Sequence, residues 1–220
     1  ADEYVTISST SQARILTAYG RSSTVLRGPW PNTVSHTPAA IPEVEAWLGD
    51  DSFELCVSRL LPYKNVGAVV EAFLAEPRRK LVIVGQGPEE AQLKRIAGPN
   101  VHFVKNISDE QLAWLYRRTN ALVAVSYEDY GLTPLEAASF GKPSIVLRWG
   151  GFVDTMVENV TAVFVDSPTP DNIRHALAVV DERTWDAERI VEHADRFSED
   201  VFVEAIRGLV KEHLAAYDAR

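Results

Sequence analysis

Two glutamates, Glu128 and Glu136, bracket the stretch of this sequence that is best suited to chemistry. The stretch follows an apolar run at 121–125 that has the composition of a buried strand. Glu128 is therefore expected in a loop at the carboxyl end of a strand, and Glu136 on the first turn of the next helix. Gly131 lies between them and allows backbone N–H groups to approach a ligand closely. Because ligands of open parallel sheets bind at such crevices, we expect a ligand there that carries hydroxyls and phosphates, such as a sugar nucleotide.

The helix that contains Glu136 has its own start signal. We expect Thr133 as the N-cap residue, Pro134 as the first helical residue and Glu136 as the last member of a T-x-x-E capping box. Glu136 thus has two interpretations, a helix cap and a ligand for hydroxyl groups. Glu128 likewise could be a functional group or a solvated loop acid.

Two cations, Arg59 and Lys64, follow an earlier strand predicted at 53–58, with Pro62 stiffening the turn between them. They could converge on one diphosphate, Arg59 through its planar fork and Lys64 as a point charge. The alternative is a pair of solvated loop cations. In a chain of net charge −9, two cations at the carboxyl end of a strand favour the functional interpretation.

Glycines follow two other predicted strands. Gly85 and Gly87 open a helix after the strand at 81–84, where a G-x-G is either a weak phosphate or base cradle or a tight turn. Gly150 and Gly151 follow the strand at 144–147, where they allow close backbone approach or form a simple turn.

Composition narrows the class of protein. The net charge of −9 over 220 residues argues against binding of nucleic acid or a polybasic membrane anchor. The single cysteine, Cys56, excludes disulfides, and the sequence has neither D-x-D nor histidines at metal-ligand spacing, so we expect no metal and no cofactor. No G-x-S-x-G or P-loop sequence is present either, which argues against hydrolase and P-loop functions. No apolar run reaches the roughly 18 residues of a transmembrane helix, and no signal peptide is visible, so we expect a cytoplasmic location.

Apolar runs alternate with helical patterns along the chain, which predicts an α/β fold, a doubly wound, Rossmann-like parallel sheet built from βαβ units. The predicted strands are at 4–8, 24–27, 53–58, 81–84, 101–104, 121–125, 144–147 and 162–165. Capping boxes are predicted at 9–12 and 108–111. Crossover helices are predicted at 65–74, 88–96, 111–118, 134–140, 152–158, 170–180 and 185–194, followed by a long final helix from Glu199 to about Tyr217.

A proline-rich stretch, 28–42, is the only segment that resembles a linker. Just two strands and one helix precede it, too little for a domain that folds alone. We therefore divide the chain into the tail of an amino-terminal domain with its linker (1–38), a nucleotide-sugar-binding domain (39–198) and a carboxyl-terminal helix (199–220). Since the only methionine is Met156, we expect a processed product or a piece of a longer protein.

Taken together, these residues resemble the carboxyl-terminal half of the retaining GT-B glycosyltransferases, which include bacterial mannosyl- and glucosyltransferases. The hallmark of that group is E-x7-E, matched here by Glu128 and Glu136. Six further segments match in order: SRLLPYKN at 58–65, VGQGPE at 84–89, ISDEQL at 107–112, GKP at 141–143, the glycine pair at 150–151 and RFS at 196–198. Each segment alone is weak, but together, in order and at natural spacing, they cover nearly the whole chain.

The resemblance implies a role for each candidate residue. Arg59 and Lys64 would bind the donor diphosphate, Glu136 the ribose hydroxyls, and Glu128, as the catalytic residue, the donor sugar. The remaining donor-binding residues would border the base or present backbone N–H groups: Gly85, Gly87, Asn106 and Ile107 near the base, and Gly131, Leu132 and Thr133 near the sugar.

Four residues depart from the family pattern. Asp154 stands where the family usually has Glu, and Asn106, Asn159 and Ala162 each replace a common glycine. Asp shortens the reach of the carboxylate, whereas Asn tolerates left-handed backbone. Ala162 is the least expected of the four.

The resemblance also implies partners and leaves alternatives open. The acceptor-binding domain would be largely missing and would be supplied by the rest of a longer chain or by a partner subunit, with peripheral membrane association at the inner face through that half. The tripeptide at 62–64 favours mannosyltransferases and so GDP-mannose as donor. The alternatives are a non-catalytic nucleotide-sugar-binding subunit of a split glycosyltransferase and a related two-domain nucleotide-sugar epimerase.

Overall fold

The computed structural model describes residues 3–30 and 37–218, and these residues form eight strands. The strands are β1 (Val5–Thr6), β2 (Thr24–Val25), β3 (Phe53–Val57), β4 (Lys80–Val84), β5 (Val101–Val104), β6 (Leu122–Ala124), β7 (Ser144–Leu147) and β8 (Ala162–Val165). β1 and β2 form a separate parallel pair, and the other six form one parallel sheet. The eight described strands lie where the sequence predicts them, within about two residues at each end.

The order of the large sheet is β5-β4-β3-β6-β7-β8. The chain therefore winds outward from β3 to β5, returns to the middle of the sheet and winds outward again from β6 to β8. Leu55 of β3 pairs with Leu122 of β6 where the direction changes. Ligands of open parallel sheets bind beside such a change of direction, at the carboxyl ends of the strands.

Ten helices and one 3-10 turn connect the strands within the described residues. The 3-10 turn is Pro62–Lys64, and the helices are α1 (Ser9–Tyr19), α2 (Pro42–Leu48), α3 (Val66–Leu74), α4 (Glu90–Ile96), α5 (Asp109–Arg118), α6 (Thr133–Ser139), α7 (Phe152–Thr155), α8 (Pro170–Glu182), α9 (Ala187–Asp195) and α10 (Glu199–Asp218).

Buried side chains cover both faces of the large sheet. Phe73 of α3 and Leu177 of α8 belong to the core on one face, and Leu48 of α2 and Leu115 of α5 belong to the core on the other. Strands β6 and β8 are continuous apolar runs because helices exclude water from both sides of the sheet. The doubly wound α/β class is thus confirmed.

Two sequence signals need correction. The capping box at 108–111 forms, with reciprocal hydrogen bonds between Ser108 and Gln111. The one at 9–12 does not, because Ser8 is the N-cap of α1 and the Gln12 amide donates to the carbonyl of Ser23, 2.5 Å away. Helix α7 ends at Thr155, three residues before the predicted end, because Met156 is extended.

Helix α2 was absent from the sequence prediction, which assigned Pro42 to the linker. Pro42 in fact occupies the first turn of a short helix, and Glu43 and Glu45 complement the positive end of its dipole. Val44 and Leu48 are its buried side chains, too few for a helical period to be recognised. The central residues of the linker, 31–36, lie outside the described part of the chain.

The predicted division at 38 and 198 stays a prediction. The small unit of β1, α1 and β2 exposes Leu16 and Tyr19, and α10 exposes Val210 and Leu214.

Among the helices that the structure describes, none combines the length and apolar character needed to cross a bilayer.

Candidate functional site

A cavity of about 690 Å³ opens at the carboxyl ends of β3, β4 and β6, beside the point where the sheet changes direction. Most of the predicted site residues line it, and they come from three different loops: Arg59, Lys64, Gly85, Glu128, Gly131, Leu132 and Thr133. The predicted residues Gly87, Asn106, Ile107 and Glu136 are not among its lining residues. The topology thus brings the predicted diphosphate ligands and Glu128 together.

The two predicted cations differ in environment. Arg59 is exposed, and its guanidinium donates a hydrogen bond to the hydroxyl of Tyr63, 2.8 Å away. Lys64 is half-buried at the end of the 3-10 turn. Burial, and then the positive charge of Arg59, lower the pKa of the Lys64 ammonium from its ordinary value. The two cations are therefore close enough to influence each other electrostatically.

Lys64 forms an ion pair with Glu128, and this pair connects the loop after β3 to the loop after β6. The sequence offered the two residues as separate ligands of one donor and did not predict that they would contact each other. Only 14% of the Lys64 side chain and 21% of the Glu128 side chain are exposed. Each ion thus neutralises the other in a partly desolvated place, where electrostatic interactions are stronger than at the surface.

The predicted turn of Gly150 and Gly151 contacts the backbone of the loop that contains Glu128. The N–H of Gly151 donates to the carbonyl of Glu128 at 2.9 Å. Gly150 has a φ of 60°, and a Cβ on it would lie 2.0 Å from the same carbonyl oxygen. The pair of glycines is therefore needed for close backbone contact, one of the two interpretations that the sequence left open.

Asn65 also supports this part of the site, a role that sequence reasoning missed. Its backbone is left-handed, and its side-chain amide donates to the carbonyl of Val125 at 2.8 Å. This bond joins the turn that bears Lys64 to the end of β6. Asn65 is the last residue of the family motif at 58–65, and this membership of the motif was the sequence signal from which its role could have been inferred.

The predicted base-binding residues follow β4 and β5, which are neighbours in the sheet. Gly85 lines the cavity, and a Cβ on it would lie 1.8 Å from the carbonyl oxygen of Ser58, so packing alone explains this glycine. Gly87 packs against the backbone of Leu60. Asn106 is exposed with a left-handed φ of 55°, as expected for a residue in a glycine position, and Ile107 packs against the core beside α5.

The predicted capping box of α6 is wrong. Leu132 is the N-cap residue, Thr133 is already helical, and no side chain caps this helix end. The carboxylate of Glu136 instead accepts a hydrogen bond from the hydroxyl of Tyr116 on α5, at 2.7 Å. Burial raises the pKa of Glu136 above its ordinary value, and the bond from Tyr116 opposes this.

The amino-terminal unit reaches the site, which the sequence gave no means to foresee. Ile7 lines the cavity. The backbone N–H and hydroxyl of Ser9 donate to one oxygen of Asp154 at 2.7 and 2.9 Å, and Arg14 pairs with Asp129 at 2.5 Å. The departure from Glu to Asp at 154 thus fits a short contact with the start of α1.

Other reactive groups near the cavity are held inert. Cys56 lines it, but burial raises the pKa of its thiol to about 12, so the thiol stays protonated. Within residues 3–30 and 37–218, no three His, Cys, Asp or Glu side chains converge in a way that could hold a metal ion. Binding without a metal ion remains a prediction from the sequence.

The family model for "Glycosyl transferases group 1" matches residues 39–199. This chain belongs to that family. The match includes both glutamates, the two cations and the glycine turns, so the resemblance that the motifs suggested is confirmed at the level of the family.

Individual relatives agree with this assignment. The chain is 28% identical to the "GDP-mannose-dependent alpha-(1-6)-phosphatidylinositol monomannoside mannosyltransferase" of Mycolicibacterium smegmatis, over 80% of the chain and 52% of that protein. It is also 28% identical to the "D-inositol 3-phosphate glycosyltransferase" of Acidothermus cellulolyticus, over 98% of the chain and 54% of that protein. The chain therefore spans about half the length of these relatives.

Solved structures share the fold. The HepE protein of Anabaena, crystallised with UDP and glucose, superposes with a TM-score of 0.75 at 19% identity, over 96% of this chain and 63% of that one. At this identity the likeness concerns the fold, a Rossmann-like parallel sheet of the GT-B type.

Proposed function

We propose that this chain is the nucleotide-sugar-binding half of a retaining glycosyltransferase that transfers a hexose to a saccharide or lipid-linked acceptor. The observation that carries this proposal is the cavity in which Arg59, Lys64 and Glu128 meet beside the change of direction in the sheet. Cations at this place suit a diphosphate, and a carboxylate next to them suits the hydroxyls of the attached sugar. Membership of the group 1 family supports the same reaction class.

In this proposal the ion pair of Lys64 and Glu128 separates when the donor binds. A diphosphate offers Lys64 more negative charge than one carboxylate does, so its oxygens replace Glu128 as the partner. Glu128 is then released toward the sugar, where its charge can stabilise the positive character that develops at the anomeric carbon. Gly131, Leu132 and Thr133 supply backbone N–H groups at the start of α6.

The donor is proposed to be GDP-mannose. The name of the mycolicibacterial relative supports this choice, whereas the HepE structure contains UDP and glucose. The location at the cytoplasmic face of a membrane, the acceptor half in the same chain or in a partner subunit, and the independence from metal are parts of the same proposal. The split-subunit alternative shares the donor site and differs only in where the acceptor half is encoded.

Calorimetric titration with GDP, UDP, GDP-mannose and UDP-glucose tests donor binding directly. We expect one nucleotide diphosphate to bind in the micromolar range, with heat released and a 1:1 ratio. Glu128→Gln should leave the affinity for the free nucleotide diphosphate equal or higher, because Lys64 loses a competing partner, and should abolish any extra affinity for the sugar nucleotide. Absence of binding by every nucleotide would contradict the proposal.

A separate assay concerns transfer. The small β1-α1-β2 unit cannot form an acceptor cleft, and transition-state binding needs both sides of that cleft. We therefore expect the 220-residue chain alone to bind donor without transferring sugar. Rapid transfer by the purified chain would show that the acceptor site is already complete.

A further inference from the structure

Tyr116 is a buried polar residue for which the proposed reaction has so far given no role. It lies on α5, is 0% exposed, and its hydroxyl donates to the Oε2 atom of Glu136 at 2.7 Å. Its ring stacks on that of Phe140 at the end of α6, with centroids 5.5 Å apart and planes at 13°. The tyrosine is therefore fixed by packing against the face of its ring and by the hydrogen bond from its hydroxyl to Glu136.

The side chain of Glu136 does not cap its own helix. The cap that the sequence predicted is absent, since Leu132 precedes α6 and no side chain bonds to that helix end. Leu132 and Thr133, on the same turn of α6, line the cavity. Glu136 thus lies one turn from the cavity, and its Oε2 accepts the bond from Tyr116. Its other carboxylate oxygen accepts no hydrogen bond from the residues that the structure describes, 3–30 and 37–218.

We propose that Tyr116 is a positioning residue for donor binding, whose hydroxyl holds one oxygen of Glu136 so that the other is presented to the ribose hydroxyls of the nucleotide. The inference rests on the proposed function and deepens it at the ribose. A carboxylate that is bonded on one side loses little rotational freedom when it binds a ligand, so the tyrosine improves binding by preorganisation.

The same bond acts on the charge of Glu136. Burial, and more weakly the negative charge of Asp109, raise the pKa of the Glu136 carboxyl, whereas the hydrogen bond from Tyr116 lowers it. Burial and the neighbouring Glu136 also raise the pKa of the Tyr116 hydroxyl, so Tyr116 remains a donor. Tyr116 therefore helps to keep Glu136 in the ionised form that accepts hydroxyl hydrogen bonds best.

The decisive experiment compares nucleotides with and without the ribose hydroxyls. GDP and UDP and their 2′,3′-dideoxy analogues are titrated calorimetrically into the parent chain and into Tyr116→Phe, which keeps the ring and its stacking on Phe140. We expect Tyr116→Phe to weaken binding of the ribonucleotide about threefold to tenfold, as for one lost hydrogen bond, and to leave the dideoxy analogue unchanged. An equal loss for both ligands, or no loss for either, would overturn the inference.

Two variants make the test specific. In a Glu136→Gln background, Tyr116→Phe should add little further loss, because the tyrosine acts through the carboxylate. Thr119→Val is the matched control: its buried hydroxyl, three residues further along, donates to the backbone carbonyls of Phe53 and Ala121 at 3.1 and 2.8 Å and does not contact Glu136. That control should preserve the ratio of ribonucleotide to dideoxynucleotide affinity. A ratio that Thr119→Val reduces as much as Tyr116→Phe does would overturn the inference.

The pH profile gives a readout that a merely structural role would not move. Ribonucleotide binding should weaken as the pH falls through the pKa of Glu136, and Tyr116→Phe should shift this fall to higher pH. An unshifted profile contradicts the inference. If the whole proposed function is wrong, no nucleotide binds the parent chain. If the parent binds nucleotide, Lys64→Ala loses that binding and Tyr116→Phe keeps it unchanged, the inference alone is overturned.

Discussion

Two carboxylate–cation pairs lie on opposite sides of the same sheet, one where its strands begin, here called the amino edge, and one where they end, the carboxyl edge. The first pair includes a residue of β3, and the second includes a residue of the turn that follows β3. At the amino edge, Glu54 of β3 is 2% exposed and pairs with Arg79 at 3.1 Å, while Arg79 also pairs with Asp181. At the carboxyl edge, Lys64, just after β3, pairs with Glu128. Each pair joins a carboxylate to a cation, but of the two it is the second that lines the cavity described above.

The comparison teaches that position in the sheet, and not the charges themselves, decides whether such a pair faces a cavity. At the amino edge, Arg79 also contacts Asp181 of α8, and neither Glu54 nor Arg79 lines the cavity, so we assign this pair no role in ligand binding. The carboxyl edge is where the chain changes direction, and backbone and side chains diverge there to leave room for a ligand.

The largest expected effect concerns the pH dependence of stability at the amino edge. Burial raises the pKa of Glu54 from its ordinary value of 4.5 to about 7. The folded protein therefore holds a proton that the unfolded chain releases in this range, so the contribution of Glu54 to stability is present below about pH 4.5 and is lost as the pH rises through about 7. Glu54→Gln should remove about 3 kcal/mol of this decline, measured by urea unfolding between pH 4.5 and 8.

The control for Glu54→Gln is Glu45→Gln, an exposed glutamate on α2. It should leave the pH profile of stability as in the parent chain. Nucleotide affinity should be the same in both variants, because Glu54 lies at the edge of the sheet away from the cavity. A matching slope in Glu54→Gln and the parent would remove Glu54 as the source of the pH dependence.

The next largest effect concerns the cations of the carboxyl edge. Arg59→Ala and Lys64→Ala should each weaken binding of GDP or UDP by about one to two decades, since a hydrogen bond to a charged group contributes roughly 1.5–3 kcal/mol. Because Arg59 is exposed, Arg59→Ala should change the free energy of unfolding by less than about 0.5 kcal/mol. Lys94→Ala, which removes an exposed cation paired with Glu90 at 2.8 Å, is the charge-matched control. Equal affinities in all three variants and the parent would exclude both cations from the site.

A smaller effect is expected from the turn behind Glu128. Gly150→Ala places a Cβ where only 2.0 Å separates it from the carbonyl oxygen of Glu128, at a φ of 60°. We expect a loss of about 1–3 kcal/mol in unfolding free energy together with weaker nucleotide binding, because the displaced backbone carries Glu128. Gly20→Ala, also at positive φ but with open space around it, tests strain alone and should spare binding. Unaltered binding in Gly150→Ala would show that the turn does not position Glu128.

The smallest expected effect is that of a chelator. If Arg59 and Lys64 neutralise the diphosphate, titrations of nucleotide with and without EDTA should give affinities equal within about twofold. A loss of most of the affinity on chelation would show that a metal ion, and not Arg59 and Lys64 alone, neutralises the diphosphate.

The sequence predicted most of the fold because its signals are local. Continuous apolar runs such as 81–84 can be buried on both sides only in a parallel sheet with helices on both faces. Ser108 and Gln111 are close enough in the chain to form their capping box without help from other elements. Helix α2 escaped notice because its seven residues bury only two side chains.

The sequence by itself also determined that Arg59, Lys64, Gly85 and Glu128 would lie around one cavity, since they stand at the carboxyl ends of strands, where a parallel sheet gathers them. Only the tertiary structure decided their partners. The ion pair of Lys64 with Glu128, the bond from Tyr116 to Glu136 and the contact of Ser9 with Asp154 join residues far apart in the chain. Such pairings depend on strand order and on how helices pack across the sheet, and no local pattern of residues encodes them.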